Sequence, residues 1–274
     1  MSAFVLRGCR QKCVIFTIMK NTLFLILSAL LFVACGSGSM TDSRDGQTYR
    51  TIKIGEQIWM AQNLNYETAD SYCYSDVASN CAEYGRLYTW AAAMDSAGTW
   101  SSNGKGCGYK KTCSPTYPVR GVCPEGWHLP SKNEWETLFA AVGGKLVAGS
   151  KLKSTSGWYK NGNGTDDFGF SALPAGYRYY IGRKSEHALK RIELLRAGHR
   201  YNTERSSEDG SAGSNAYFWS STESPNDNDE NFWSSTEKPD YSDAYRMFLY
   251  FGGDQALLYG NYKNYGLSVR CLKD

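Results

Sequence analysis

The spacing of apolar residues predicts one amphipathic helix near the centre of the chain. Four apolar side chains recur at helical spacing and share one face: Trp135, Leu138, Phe139 and Val142. Ser131 lies at the start of this segment, and Glu134 follows it at the spacing of a Ser-x-x-Glu capping box. Gly143 and Gly144 come directly after it, where glycine commonly ends a helix. We therefore predict a core helix over residues 131–142.

Around this helix the pattern predicts short elements separated by turns. Residues 49–54 and 57–64 are strand-like, and Gly55-Glu56 between them fits a two-residue hairpin turn. The alanine-rich segment 84–94 predicts a second helix. Residues 245–251 and 267–272 predict closing strands.

The first 34 residues are typical of an export signal. They carry four basic and no acidic residues, and residues 23–34 form a twelve-residue apolar run, which suits a signal-peptide core better than a membrane span. The sequence 34–37 (ACGS) resembles a bacterial lipobox, whose cysteine receives the lipid. We predict a signal peptide over residues 1–34, with 1–18 as an over-extended start, and lipidation of Cys35. A plain secretory signal or an uncleaved anchor is the alternative.

Residues 35–46 are small and polar, which predicts a flexible tether between the lipid and a domain over residues 47–274. The expected localisation is the bacterial outer membrane or cell surface. Removing the leader changes the formal net charge from +3 to −1. That balance gives no support for a nucleic-acid partner, which needs a clustered basic surface.

Apart from Cys35, six cysteines remain in the exported part of the chain, and an even number there implies disulfides. Their spacing favours Cys73–Cys81 and Cys107–Cys113 as local pairs, which leaves Cys123–Cys271 as a long-range closure. Fifteen connectivities are possible for six cysteines, so this pairing is a preference. A zinc site is disfavoured, because the chain has no Cys-x-x-Cys pair and its three histidines are scattered.

Two segments interrupt the pattern of the domain. The basic segment 183–197 predicts a short surface helix, and residues 202–215 are polar, which together predict an insertion over residues 183–215. The sequence FWSSTE occurs at 218–223 and again at 232–237. We interpret this as a local duplication, with one copy in the fold and the other looped out.

Several motifs occur together in an order that resembles the Fibrobacter succinogenes major paralogous domain family of exported, often lipid-anchored bacterial proteins. They are IWMAQNLNY (58–66), YGRLYTWAAAM (84–94), GVCPEGWHLPSKNEWETL (121–138), FSALPAGYR (170–178), YFWSSTE (217–223) and SVRCLKD (268–274). The family is itself similar to the formylglycine-generating-enzyme and C-type-lectin-like folds. The resemblance implies a compact α+β domain with two helices, short irregular antiparallel strands, disulfides and its two ends brought together.

The resemblance does not carry an activity with it, and the residues favour none. An oxidase resembling the formylglycine-generating enzyme needs neighbouring cysteines in the C-terminal half, where only Cys271 lies beyond residue 123. His128 has no identifiable Ser or Asp partner, which favours a structural role over general-base catalysis. Asp166-Asp167 and the acidic run 227–230 are weak candidates for calcium, because neither resembles an EF-hand. No cofactor is therefore expected.

Twenty tyrosines and eight tryptophans among many Asn, Ser and Gly residues suit either a ligand-stacking surface or a loop-rich core. The leading hypothesis is a non-catalytic surface protein that binds glycans or protein partners. The alternative is an enzyme of uncharacterised type that uses the loop face of the same fold. The candidate contact residues are Tyr217, Trp219, Trp233 and Tyr241.

Overall fold

The structure is a computed structural model, and it describes residues 37–179, 209–224 and 243–274. Within those ranges the fold is α+β, with short helices and antiparallel sheets. The helices are α1 (Ala78–Tyr84), α2 (Trp90–Ala93), α3 (Lys132–Ala141) and α4 (Lys145–Leu152). Among these described helices none has the length and apolar character needed to cross a membrane.

The larger sheet joins the two ends of the domain. Its strand order is β1-β2-β3-β12-β6, with β1 (Ser37–Thr41), β2 (Thr48–Ile54), β3 (Gln57–Met60), β6 (Trp127–His128) and β12 (Leu272–Lys273). Strands β2 and β3 form the predicted hairpin, and Gly55 takes a positive φ of 59° in its turn. The C-terminal strand β12 pairs with both β3 and β6. The ends of the domain therefore meet, as the family resemblance implied.

The second sheet contains three antiparallel strands in the order β11-β10-β9. They are β9 (Asn215–Glu223), β10 (Asp243–Tyr250) and β11 (Ala256–Tyr262). Strand β10 confirms the strand predicted near residues 245–251, whereas β11 was not predicted. Two small two-stranded sheets complete the described strands: β4 (Ser71–Tyr72) with β5 (Leu87–Tyr88), and β7 (Tyr177–Arg178) with β8 (Asp209–Gly210).

Helix α3 confirms the central prediction. Ser131 accepts a hydrogen bond from the backbone of Glu134, whose side chain accepts one from the backbone of Ser131, so the capping box is complete. Gly143 and Gly144 follow the helix with positive φ angles of 106° and 98°. The buried face of α3 packs into an aromatic core, where the Trp135 and Trp59 ring centroids are 4.7 Å apart. The helix is therefore a scaffold element.

The second predicted helix, over residues 84–94, is wrong for most of its length. Gly85 adopts a positive φ of 74° and packs so closely on Asn63 and Leu64 that a β-carbon would overlap them. Leu87–Tyr88 then pairs with Ser71–Tyr72 as a strand, and only Trp90–Ala93 is helical. Tertiary pairing overrides the helix propensity of the alanines. With α1 and α4 added, the expectation of two helices is also wrong.

The tether prediction for residues 35–46 is wrong from Ser37 onward. Ser37–Thr41 forms β1, which pairs along its whole length with β2. Asp42 is fully buried and forms an ion pair with Arg44, whose guanidinium also donates to the carbonyl of Val122. Small polar residues predict a flexible segment, but here their backbone completes a sheet. Residues 37–46 therefore belong to the domain.

Three disulfides lie within the described residues: Cys73–Cys81, Cys107–Cys113 and Cys123–Cys271. They are the pairing that the spacing favoured. The first two span 8 and 6 residues, whereas the third spans 148 and joins the segment before α3 to the C-terminus. Cys123 and Cys271 are both fully buried in the core.

The expected insertion over residues 183–215 is wrong at its end. Asp209–Gly210 pairs with β7, and Asn215 begins β9, so residues 209–215 belong to the fold. The predicted basic helix and the second FWSSTE copy lie outside the described residues. The first copy forms the end of β9.

Candidate functional site

Aromatic side chains and one arginine cover the outer side of the three-stranded sheet. Strand β10 alternates between buried Met247 and Leu249 on the core side and partly exposed Arg246 and Phe248 on the other. We call this outer group, together with the tyrosines that contact it, the aromatic face, and define it by Tyr177, Tyr217, Arg246, Phe248, Tyr259, Tyr262 and Tyr265. The exposed fractions of Tyr259 and Tyr262 are 37% and 47%. The face is therefore open to a ligand at its β11 edge.

Five of the six rings of the aromatic face contact one another in a continuous series: Tyr177, Tyr217, Phe248, Tyr262 and Tyr265. Tyr217 stacks on Phe248 with centroids 5.0 Å apart and an interplanar angle of 18°. The Tyr177 ring lies 5.6 Å from both the Tyr217 and Tyr265 rings, and Tyr262 stacks on Tyr265 at 6.1 Å. Such contacts hold the rings in fixed orientations. The face is therefore preorganised.

Arg246 lies in the middle of these rings. Its Cζ atom is 4.6 Å from the Tyr217 ring centroid and 5.1 Å from the Phe248 centroid, which is cation–π distance. On the neighbouring strand it pairs with Tyr259. Burial lowers the pKa of Arg246 to about 10, and the surrounding tyrosine hydroxyls act in the opposite direction. The guanidinium is therefore still cationic at neutral pH.

The hydroxyls of Tyr217 and Tyr265 stay protonated at neutral pH. Burial raises the pKa of Tyr217 and that of Tyr265 above the ordinary value of 10.0. Protonated phenols donate and accept hydrogen bonds but are poor bases at neutral pH. The arrangement suits binding through stacking and hydrogen bonds rather than proton transfer.

The four predicted contact residues fall in different places. Tyr217 lies in the aromatic face and is partly exposed. Trp219 is fully buried, and its Nε1 donates to the carbonyl of Tyr88 at 2.7 Å, so its prediction as a contact residue is wrong. Trp233 and Tyr241 lie outside the described residues. Arg246 was not predicted from the sequence; the signal that points to it is its alternation with Met247 and Leu249, which places it on the opposite side of the strand from them.

A polar cleft of about 240 Å³ lies between the β2–β3 hairpin and α1. Arg270 lies in its wall, fully buried, and donates to Asn63 Oδ1 and to the carbonyls of Phe170 and Ser171. Burial lowers the pKa of Arg270 to about 9. Because these hydrogen bonds join the end of the chain to two loops, Arg270 acts as a structural cation.

His128 has two carboxylate partners that the sequence analysis did not identify. Its Nδ1 is 2.7 Å from Asp274 Oδ1, and its Nε2 is 2.9 Å from Glu134 Oε1. Burial alone lowers the pKa of His128, but the hydrogen bonds and charges of Glu134 and Asp274 outweigh it and raise the pKa above 6.5. Burial raises the pKa of Glu134, but His128 and Ser131 outweigh it and lower that pKa below 4.5. The cluster fastens the C-terminus to the start of α3, which favours the structural role.

We expect His128→Gln to reduce stability most at mildly acidic pH. The raised pKa of His128 stabilises the fold fully below about pH 6.5, and that contribution is lost as pH rises through the folded value. The lowered pKa of Glu134 stabilises the fold above about pH 4.5. Urea unfolding should show a deficit of about 1 to 2 kcal/mol near pH 5.5 that shrinks near pH 8.5. Asp274→Asn should show a smaller deficit with the same trend. Parallel pH profiles for wild type and His128→Gln would contradict the assignment.

The structure gives the calcium candidate Asp166 a local role. Its carboxylate accepts hydrogen bonds from the backbone and hydroxyl of Ser171, which closes a loop. The acidic run 227–230 lies outside the described residues. Within the described ranges, no three His, Cys, Asp or Glu side chains form a group able to hold a metal ion.

Comparison with protein families gives one match. The model of the Fibrobacter succinogenes major domain matches residues 52–273, which include the strands of the aromatic face. No curated protein and no solved structure matches the chain significantly.

Proposed function

The chain belongs to the Fibrobacter succinogenes major domain family, and we propose that this member is an exported, lipid-anchored, non-catalytic module that binds glycans. The aromatic face carries this proposal. It offers partly exposed tyrosines held in fixed orientations around one cation. Flat rings stack against the apolar faces of sugars, and phenol hydroxyls bind sugar hydroxyls.

The fold supports a binding role through its construction. We propose a C-type-lectin-like or formylglycine-generating-enzyme-like fold, because both ends of the domain lie in one small sheet and long loops join the remaining elements. Disulfides stabilise those loops without long helices or strands. A rigid scaffold of this kind can present a binding surface without a deep pocket.

The proposed anchor is a lipid on Cys35, which lies outside the described residues. The lipobox-like sequence at residues 34–37 supports it and favours the outer membrane or cell surface. Membrane fractionation checks this part of the proposal, because Cys35→Ser should release the protein into the soluble fraction.

We expect Tyr259→Ala to weaken glycan binding by about tenfold, because a stacked ring contributes on the order of 1 to 1.5 kcal/mol. A glycan array with the purified chain would identify the ligand, and titration calorimetry would then compare the variants. Tyr109→Ala is the matched control, since Tyr109 is 36% exposed against 37% for Tyr259 but lies in the Cys107–Cys113 loop. If both variants weakened glycan binding equally, the aromatic face would not be the binding site. Turnover in an activity screen without retention on any polysaccharide would favour the enzyme instead.

A further inference from the structure

Arg246 differs from the other enclosed cations in the described part of the chain. Its Nε and Nη1 atoms are shielded from solvent, and no described residue accepts a hydrogen bond from them. The other enclosed cations donate to a carboxylate, amide or carbonyl oxygen: Arg44, Lys153, Arg178, Lys263 and Arg270. Two of the tyrosines beside it, Tyr217 and Tyr265, are protonated and supply no negative charge. The Nε and Nη1 donors of Arg246 therefore lack a partner among the described residues.

An enclosed charge without an acceptor costs free energy unless something else supplies the acceptor. The fold holds this charge in place, because the guanidinium lies beside the stacked pair of Tyr217 and Phe248. Directly across the strand pair, Tyr259 is 37% exposed, so a ligand can reach the neighbourhood of the cation, and its carboxylate contacts the shielded donors after a local side-chain shift. A fixed cation with unused donors, next to open aromatic rings, is complementary to an anion attached to an apolar or sugar-like body.

Resting on the proposed glycan-binding function, we propose that Arg246 receives a carboxylate of the ligand, which makes the ligand an acidic polysaccharide built from uronate sugars. The planar guanidinium matches a planar carboxylate in charge and geometry. The flanking tyrosines then stack on the sugar ring that bears it. A neutral glycan would fill the same face but leave the Arg246 donors unpaired.

The test compares two polymers with the same sugar backbone, polygalacturonate and its methyl ester, in which the charged carboxylate is replaced by a neutral ester. With the purified full chain at low salt, titration calorimetry should give about 10- to 100-fold tighter binding to the acid than to the ester, the range for a charge-assisted hydrogen bond. Arg246→Gln should bind both polymers as weakly as wild type binds the ester. Arg246→Lys, which keeps the charge but not the planar fork, should lie between them. Tyr259→Ala should weaken binding to both polymers by the same factor.

Folding does not confound this comparison, because Arg246→Gln removes an unpartnered charge and should unfold at the same urea concentration as wild type or a higher one. Equal binding of acid and ester by wild type, or a preference for acid that survives in Arg246→Gln, would overturn the inference while leaving glycan binding intact. Binding of neither polymer would overturn both. Polyglutamate serves as a peptide carboxylate: Arg246-dependent binding to it as tight as to polygalacturonate would overturn the assignment to glycans.

Discussion

Replacing both Cys123 and Cys271 with alanine should lower the free energy of unfolding by about 4 to 5 kcal/mol, because this disulfide closes the longest loop in the described fold. The loop spans 148 residues, and loop-closure entropy increases with loop length. Domains are typically stable by about 5 to 15 kcal/mol, so the variant should be marginal or unfolded at 37 °C. Chemical denaturation under oxidising conditions measures the loss.

The matched control is the double variant Cys73→Ala/Cys81→Ala, whose loop spans 8 residues. The same entropy argument gives it a loss of about 2 to 3 kcal/mol. Equal losses in the two double variants would show that closure of the chain ends is not the main contribution of Cys123–Cys271.

Trp219→Ala should destabilise the protein by about 3 to 5 kcal/mol through the cavity that it leaves. Trp219 is fully buried beside Tyr88, whose carbonyl accepts its indole hydrogen bond. That carbonyl also accepts the backbone N–H of Leu267, so lost packing is the larger part of the effect. Equilibrium unfolding in urea gives the stability, and titration with the array-identified glycan gives the affinity of the folded fraction.

Trp219→Phe keeps most of the ring volume and should cost about 1 kcal/mol, mainly the lost hydrogen bond. A Trp219→Ala variant with unchanged stability and abolished binding would restore Trp219 as a contact residue. We expect instead a large loss of stability and unchanged binding by the folded fraction. That result would assign the FWSSTE copy at residues 218–223 to the core.

Features whose causes are local in sequence were predicted well. The capping box of α3 and the turn at Gly55 each depend on residues within a few positions, and both are present. The helix predicted over residues 84–94 failed, because Gly85 and the pairing of Leu87–Tyr88 depend on segments distant in sequence. The placement of β12 between β3 and β6 is equally non-local.

The candidate site was predicted only in part, for the same reason. Tyr217 was predicted as a contact residue because it precedes the FWSSTE motif, and it is partly exposed. Trp219 was predicted as one as well but is fully buried, because composition does not show which side of a strand packs against the core. Arg246 alternates with Met247 and Leu249, but its side becomes the outer one only once the packing of the sheet is known. Its lack of an acceptor among described residues is likewise a property of the three-dimensional arrangement.

Strand β1 determines how a lipid on Cys35 would hold the protein. The strand begins at Ser37, so one residue separates it from the proposed lipid attachment point. Two residue steps span at most about 7 Å, roughly the depth of one headgroup layer. The domain would then lie directly on the bilayer, with β1 at the edge of its sheet protected from pairing with other chains. If the proposed lipid holds the protein this close to the bilayer, its ligands would be met within a thin layer, which would favour long polymers that lie along the membrane surface.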